Sequence, residues 1–225
     1  MDMKIRTGRI EDLELIYSLM LALFPKNELK TKEKIADLMR KGKYVLYIAE
    51  NTPSSSEESI IGFCFVYVIH EYKAAWIDYF AINAAYQGSG NGAFLFNNLM
   101  GNAGIGDMNL FAELEIPTST DPQAKENRRI RFYERQGIKL LDIDYKLPIN
   151  KKITPMHIGF RPASTSTSLS CEMLCEVIRE IMNNIHDDEQ DMPSVRDEII
   201  EKLARSHSPI IFTSTRLLRL PSNSP

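Results

Sequence analysis

The sequence predicts an α/β fold with a helical C-terminal extension, and three observations predict it. Apolar runs of strand length alternate with stretches of helical period through the first 162 residues. Within them, residues 75–100 join a buried-strand pattern to an amphipathic helix through Gln87-Gly88-Ser89-Gly90-Asn91-Gly92. Beyond residue 162 the chain changes to a polar linker followed by two amphipathic stripes. With 225 residues and 44% hydrophobic content, it can bury a full core in one domain and carry an appendage.

Met3 to Thr7 reads as a short first strand. From Ile10, the residues Leu13, Ile16, Tyr17, Met20, Leu21 and Phe24 recur at helical spacing until Pro25, which cannot continue a helix. A second helix is expected over Thr31 to Lys41, with Ile35, Leu38 and Met39 inward and Gly42 as its stop. Tyr44 to Glu50 and Ile60 to His70 read as strands joined by the polar hairpin loop NTPSSSEES. Ala75 to Ile82 is apolar and aromatic without Gly or Pro, a buried strand. Ala93, Phe94, Phe96, Leu99 and Met100 then form the expected inner face of a helix.

The turn between that strand and helix is expected to bind an anion. Its glycines let backbone N–H groups approach a ligand closely, and the helix it opens points a partial positive charge the same way. It lacks the G-x-G-x-x-G dinucleotide fingerprint with its later acidic residue, and it lacks the G-x-x-x-x-G-K-[ST] phosphate loop.

In Asn109 to Pro117 the residues Leu110, Ala112, Leu114 and Ile116 alternate with Phe111, Glu113 and Glu115. The same alternation places Trp76, Asp78 and Phe80 on one face of the preceding strand. Carboxylates in otherwise apolar strands are seldom buried without a partner, so Asp78, Glu113 and Glu115 are candidates for one site, with solvated strand ends as the plain alternative. A helix around Gln123 to Gln136 and a strand through IKLLDIDYKLP follow.

Net charge is −3, and residues 166–225 hold 6 Lys and Arg against 10 Asp and Glu, a balance that gives no reason to expect nucleic acid. Cys64, Cys171 and Cys175 form no disulfide framework and are expected to be reduced thiols. No run reaches the roughly 18 apolar residues of a membrane span, and MDMKIRTGRI lacks the apolar core of a secretion signal, so a cytoplasmic protein is expected. No Cys/His cluster has metal-ligand spacing, so no metal is expected. His70 and His157 read as ordinary strand residues. After the polar ASTSTSLS, the stripe Cys171, Leu174, Cys175, Ile178, Met182 and Ile185 ends at DDEQDMP. Ser194 is expected to cap a second helix through Val195, Ile199 and Leu203, and PSNSP to fray. These helices can pack on the preceding domain or serve a homodimer or partner contact, and proximity favours the first.

Two motifs carry a resemblance to a known family. Gln87, Gly90 and Gly92 match [RQ]-x-x-G-x-[GA], the acyl-CoA loop of the GCN5-related N-acetyltransferases. Phe132-Tyr133-Glu134-Arg135-Gln136-Gly137-Ile138 resembles their L-Y-E-K-x-G-F element, although Glu126 and Arg129 stand where that family has Asn and Ala. The resemblance covers roughly residues 3–162 and implies a mixed, mostly antiparallel sheet flanked by helices. It divides the chain into an acetyltransferase domain at 1–162, a linker at 163–170 and a mainly helical extension at 171–225.

The same resemblance implies acetyl transfer from acetyl-CoA to a primary amine by direct attack, on a small-molecule or peptide acceptor. The cosubstrate would meet Phe80, Ala81 and Ile82 and the backbone from Gln87 through Gly88, Ser89, Gly90 and Asn91 to Gly92. Glu113 or Asp78 would take the amine proton, Glu115 would bind the acceptor, and Tyr133 would donate to the leaving thiolate. A catalytically silent acyl-CoA-binding regulatory or partner-binding protein is the other reading, and the acceptor itself is left unnamed.

Overall fold

A computed structural model gives the structure of the protein and describes residues 3–51, 59–102, 105–149, 151–163, 168–187, 190–205 and 210–213. The chain divides into two compact units, Met1–Met108 and Asn109–Pro225.

The first unit contains β1 (Met3–Thr7), α1 (Leu13–Leu23), α2 (Lys32–Arg40), β2 (Tyr44–Asn51), β3 (Ile60–Ile69), β4 (Ala74–Ile82) and α3 (Asn91–Asn102). Its strands run in the order β1-β2-β3-β4, each pair antiparallel. A single 3-10 turn over Ile10–Asp12 leads into α1, and Phe24 caps α1 in extended conformation before Pro25. Thr31 accepts a hydrogen bond from the Lys34 amide, which satisfies one of the unpaired donors at the start of α2. Gly42 takes φ +74 just past that helix. β3 is buried along its whole length, so it reads as a continuous apolar run rather than an alternation. The hairpin loop expected between β2 and β3 lies, for residues 52–58, outside the described residues.

Two expectations for this unit are corrected. Phe94 is 40% exposed, whereas Leu95, Phe96 and Leu99 are buried. At about 100° per residue Phe94 lies roughly 200° from Phe96, so the two cannot share one face. The second correction concerns β4, where Tyr79 pairs with Phe65 and Ile77 with Val66, leaving Asp78 as the extra residue of a β-bulge. The bulge resets the alternation. Trp76 is opposite Tyr67 and Phe80 opposite Cys64, an odd spacing on β3, so Trp76 and Phe80 take opposite faces rather than one.

The second unit contains β5 (Asn109–Glu115), α4 (Lys125–Arg135), β6 (Lys139–Leu141), β7 (Tyr145–Ile149), β8 (Lys152–Arg161), β9 (Ser168–Leu169), α5 (Cys171–Asn184), α6 (Met192–Arg205) and β10 (Ile210–Thr213). Its strands run β5-β8-β6-β10-β9 with β7 also on β8, again antiparallel. The single strand expected through 138–148 is two. β8 is long enough to pair with β6 through Phe160 and Gly159 and with β7 from Met156 to Lys152, and Asp142 to Asp144 carry the chain between the two.

The C-terminal segment is more than helical. α5 is capped by the Ser170 hydroxyl, which accepts from the Met173 amide, and it buries Leu174, Val177, Ile178, Ile181 and Met182. α6 begins at Met192, so Ser194 lies inside its first turn rather than capping it; Val195, Ile199 and Leu203 are buried as expected. α5 packs on α6, α6 packs on β7, and β10 adds a strand to β6, so the segment is built into the second unit. Cys175 is buried and Cys171 half-buried, and burial pushes the Cys175 thiol pKa up, as it does for Cys64. PSNSP lies outside the described residues, as do 164–167 of the expected linker.

Candidate functional site

The glycine turn is built as a cradle. Gly88 and Gly90 take φ +81 and +82, a region that L side chains rarely adopt, and a Cβ at either would point into open space. The turn is braced from both ends: Gln87 donates its side-chain amide to the Ile82 carbonyl at 2.9 Å, and Asn91 donates to the Tyr86 carbonyl at 2.8 Å. The Phe94 amide bonds to the Gly90 carbonyl at 3.0 Å, so helical bonding begins within the turn itself. First-turn amides of a helix have no intrahelical acceptor and therefore face whatever anion the turn admits. Ser89 and Gly92 complete this run, and Phe80, Ala81 and Ile82 lead into it along the half-buried end of β4.

The candidate carboxylates have different surroundings. Asp78, on the β4 bulge, has a side chain only 5% exposed and is paired to the Lys30 ammonium at 2.9 Å, itself 8% exposed. Tyr44 donates to the same carboxylate at 2.5 Å. Burial first, and the Asp78 charge second, push the Tyr44 phenol well above its ordinary pKa, so it stays a donor. Lys30 is held in place in turn, because its amide donates to the Tyr79 hydroxyl at 3.0 Å and its ammonium lies over the Tyr79 ring. Burial and Asp78 raise the Tyr79 pKa to about 12.

Glu115, at the end of β5, is about a third exposed and bonds Arg129 of α4 at 2.6 Å. Glu113 lies two residues back on the same face of β5, opposite Ile158. Tyr145 of β7 donates to its Oε1 at 2.5 Å, and His186 places Nε2 3.1 Å from its Oε2. The Tyr145 phenol is pushed well above its ordinary pKa, by burial first and then by Glu113, so it too remains a donor. Among the described residues the partners of Glu113 are therefore a phenol and an imidazole, where Asp78 holds a lysine and Glu115 an arginine.

Tyr133 sits in the last turn of α4, 6% exposed, with its ring edge-on to Phe132 at 5.2 Å. The Gln136 and Ile138 amides both bond to its carbonyl at 3.0 Å, and Gly137 at φ +82 closes the helix, which fixes the tyrosine's backbone. His157 lies on β8, and burial holds its imidazole below the ordinary pKa. His70 is exposed in the turn that follows β3 rather than in the strand itself.

Neither His186 nor Tyr145 is among the site residues expected from the sequence. The available signal for His186 was its place directly after Ile185, the last residue of the α5 stripe. Tyr145 could be found only once residues 138–148 were known to form two strands. A groove of about 600 Å³ beside α1 and α2, lined by Leu13, Ala36, Glu14, Lys32, Asp37 and Arg40 among others, holds none of the predicted site residues. Among the described residues no group of acidic, histidine and cysteine side chains could hold a metal, and no helix is long and apolar enough to cross a membrane.

The sequence profile of the Acetyltransferase (GNAT) family matches residues 13–138. The chain is similar in fold to a GNAT-family protein of Bacteroides thetaiotaomicron, with a TM-score of 0.61 and 21% identity over 81% of this chain and 97% of that one. It is also similar to the ribosomal-protein-S18-alanine N-acetyltransferase of Escherichia coli, with a TM-score of 0.54 and 18% identity over 73% of this chain and 96% of that one. NAA60 of Arabidopsis thaliana, solved with acetyl-CoA, gives a TM-score of 0.54 and 17% identity over 71% of this chain and 98% of that one. No curated protein matches the sequence.

Proposed function

This chain belongs to the GNAT acetyltransferase family, and on that premise we propose that it moves the acetyl group of acetyl-CoA to a primary amine by direct attack, with Glu113 as the base. The observation that carries this reading is the state of Glu113. A base must be able to accept a proton, and among the described residues Glu113 is held by a phenol and an imidazole rather than by a lysine or arginine. Asp78 is committed to Lys30 by a nearly inaccessible ion pair, which suits it to holding the β4 bulge. Glu115, partly exposed and paired with Arg129, suits acceptor binding.

Each role is assigned on the residue's own surroundings. The acceptor ammonium loses a proton to Glu113; its nitrogen attacks the thioester carbonyl; the C–S bond breaks as the tetrahedral intermediate collapses. Backbone amides in Phe80 to Ile82 are suited to the oxyanion, and the turn from Gln87 to Gly92 to the pyrophosphate of the cosubstrate. By its motif Tyr133 matches the family's tyrosine, and a phenol, ordinarily protonated at neutral pH, can donate to the departing thiolate. Residues 1–162 would form the catalytic domain and 171–225 its extension. A primary amine at a peptide N-terminus or on a polyamine fits this chemistry, and proteins of similar fold are described as alanine and spermidine N-acetyltransferases.

The test is a thiol-release screen with acetyl-CoA over spermidine, an alanine-starting peptide and a lysine peptide, run beside calorimetric titration of acetyl-CoA. Turnover of at least one amine is expected. Binding without turnover across the panel would favour a silent acyl-CoA-binding protein, and the absence of both would remove the reading.

A further inference from the structure

Glu113 is reached from two elements of the second unit, and both lie outside the stretch that carries the family match. Tyr145 on β7 holds Oε1, and His186, just past the end of α5, holds Oε2. The family profile ends at residue 138, so both holding groups come from beyond it. The position of His186 is fixed several times over. Ile185 beside it has no exposure, and the amides of Ile185 and His186 both bond to the Ile181 carbonyl, at 2.8 and 3.2 Å. α5 is further held by its packing on α6, which itself packs on β7.

We propose that His186 is a positioning residue for Glu113, and that the C-terminal segment thereby completes the base. This rests on the reading of Glu113 as the base. With the Nε2–H tautomer donating to Oε2 and the Tyr145 hydroxyl donating to Oε1, the carboxylate is held in one orientation from both sides. A carboxylate offers about four lone-pair sites, so one remains on each oxygen for the acceptor's proton. The Glu113 and His186 side chains are 13% and 17% exposed, enclosed enough to be fixed and open enough to be reached. A glutamate has three side-chain torsions; one left unclamped would spend most of its time away from the reacting proton, and orientation is a large part of what a site contributes to rate.

A contact that merely fastened the segment would be expected where its surface ion pairs already are. Lys146 of β7, half-buried, bonds Glu198 of α6 at 2.7 Å, and Lys202 bonds Asp144 at 2.7 Å on the exposed surface; neither pair includes Glu113, Tyr145 or His186. Glu198→Gln therefore serves as the control that loosens fastening without touching the carboxylate.

The experiment measures kcat, KM for acetyl-CoA and melting temperature for His186→Ala, His186→Gln, Glu198→Gln and Glu113→Gln. The acceptor is whichever of spermidine, the alanine-starting peptide or the lysine peptide turns over fastest. His186→Ala should lower kcat about 10-fold or more with KM for acetyl-CoA unchanged, because orientation acts on the transition state. His186→Gln, whose amide N–H can reach the same oxygen, should recover most of the loss, and Glu198→Gln should keep wild-type kcat. Wild-type kcat in His186→Ala beside an impaired Glu113→Gln would overturn the proposal, as would an equal loss in Glu198→Gln. An unimpaired Glu113→Gln would instead remove the base assignment beneath it. Should His186→Ala fail to fold, His186→Met, which fills the space without a donor, decides between the same outcomes.

Discussion

Asp78 and Glu113 are both acidic residues in apolar strands, and each accepts a hydrogen bond of 2.5 Å from a buried tyrosine, yet the two sites have opposite character. Asp78 faces a permanent cation, and both members of that pair are more than nine-tenths removed from water. A buried pair of this kind gains little over an apolar pair of the same shape but costs much when one member is removed. Glu113 faces groups that can be neutral and keeps more contact with solvent. A carboxylate in a strand is thus not read by its burial alone. The charge of its second partner separates a structural acid from a chemical one.

The contrast can be broken most forcefully at Asp78. Asp78→Ala leaves the Lys30 ammonium buried without its counter-charge and should cost about 3–5 kcal/mol of stability, measured by urea unfolding. A cost under ~1 kcal/mol would mean that the pair does not hold the bulge. Next in size, Tyr133→Phe should lower kcat roughly 10- to 1000-fold with little change in acetyl-CoA affinity, because a donor to the thiolate acts chiefly in the transition state. A normal single-turnover rate in a destabilised variant would place Tyr133 beside Asp78 as a structural residue.

A smaller effect is expected at the glycine turn. Gly90→Val both strains a backbone at φ +82 and puts a side chain into the open space above the turn, so acetyl-CoA affinity should fall about 10-fold, or ~1.4 kcal/mol. Unchanged affinity by calorimetry in a folded variant would remove the turn from the cosubstrate site. The smallest effect is pH-dependent. The Arg6 guanidinium, bonded at 2.8 and 2.7 Å, holds the Asp12 carboxyl below its ordinary value. Its contribution to stability is therefore complete above the unfolded value of about 4 and is lost as pH falls through the lower folded value. Asp12→Asn should make stability less sensitive to pH in that acid window; an unchanged acid limb would show that this partly exposed pair, unlike Lys30–Asp78, contributes nothing.

What was legible in the sequence followed from period and punctuation. The α2 stop at Gly42, the end of α1 before Pro25 and the strand, glycine turn and helix around Gln87 all rest on local chemistry that no distant contact overrides. The acids Asp78, Glu113 and Glu115 were visible as odd residues in apolar strands. The partners of Asp78 and Glu113 were not, because Lys30, Tyr44, Tyr145 and His186 lie 32 to 73 positions away, and register and bulge position are set by tertiary pairing. The bulge at Asp78 carries no local mark, so strict alternation misplaced Trp76 against Phe80. The short strand β10 was missed because Ile210–Thr213 has no period of its own and is recruited by β6 and β9.

The central claim, that Glu113 does chemistry where Asp78 holds structure, is tested most directly by measuring kcat/KM and melting temperature together for Glu113→Gln and Asp78→Asn. Glu113→Gln is expected to lose about 100-fold in kcat/KM at a melting temperature near that of the wild type, while Asp78→Asn loses mainly stability and turns over normally in its folded fraction. The reverse pattern, an active Glu113→Gln beside a stable but inactive Asp78→Asn, would contradict the account.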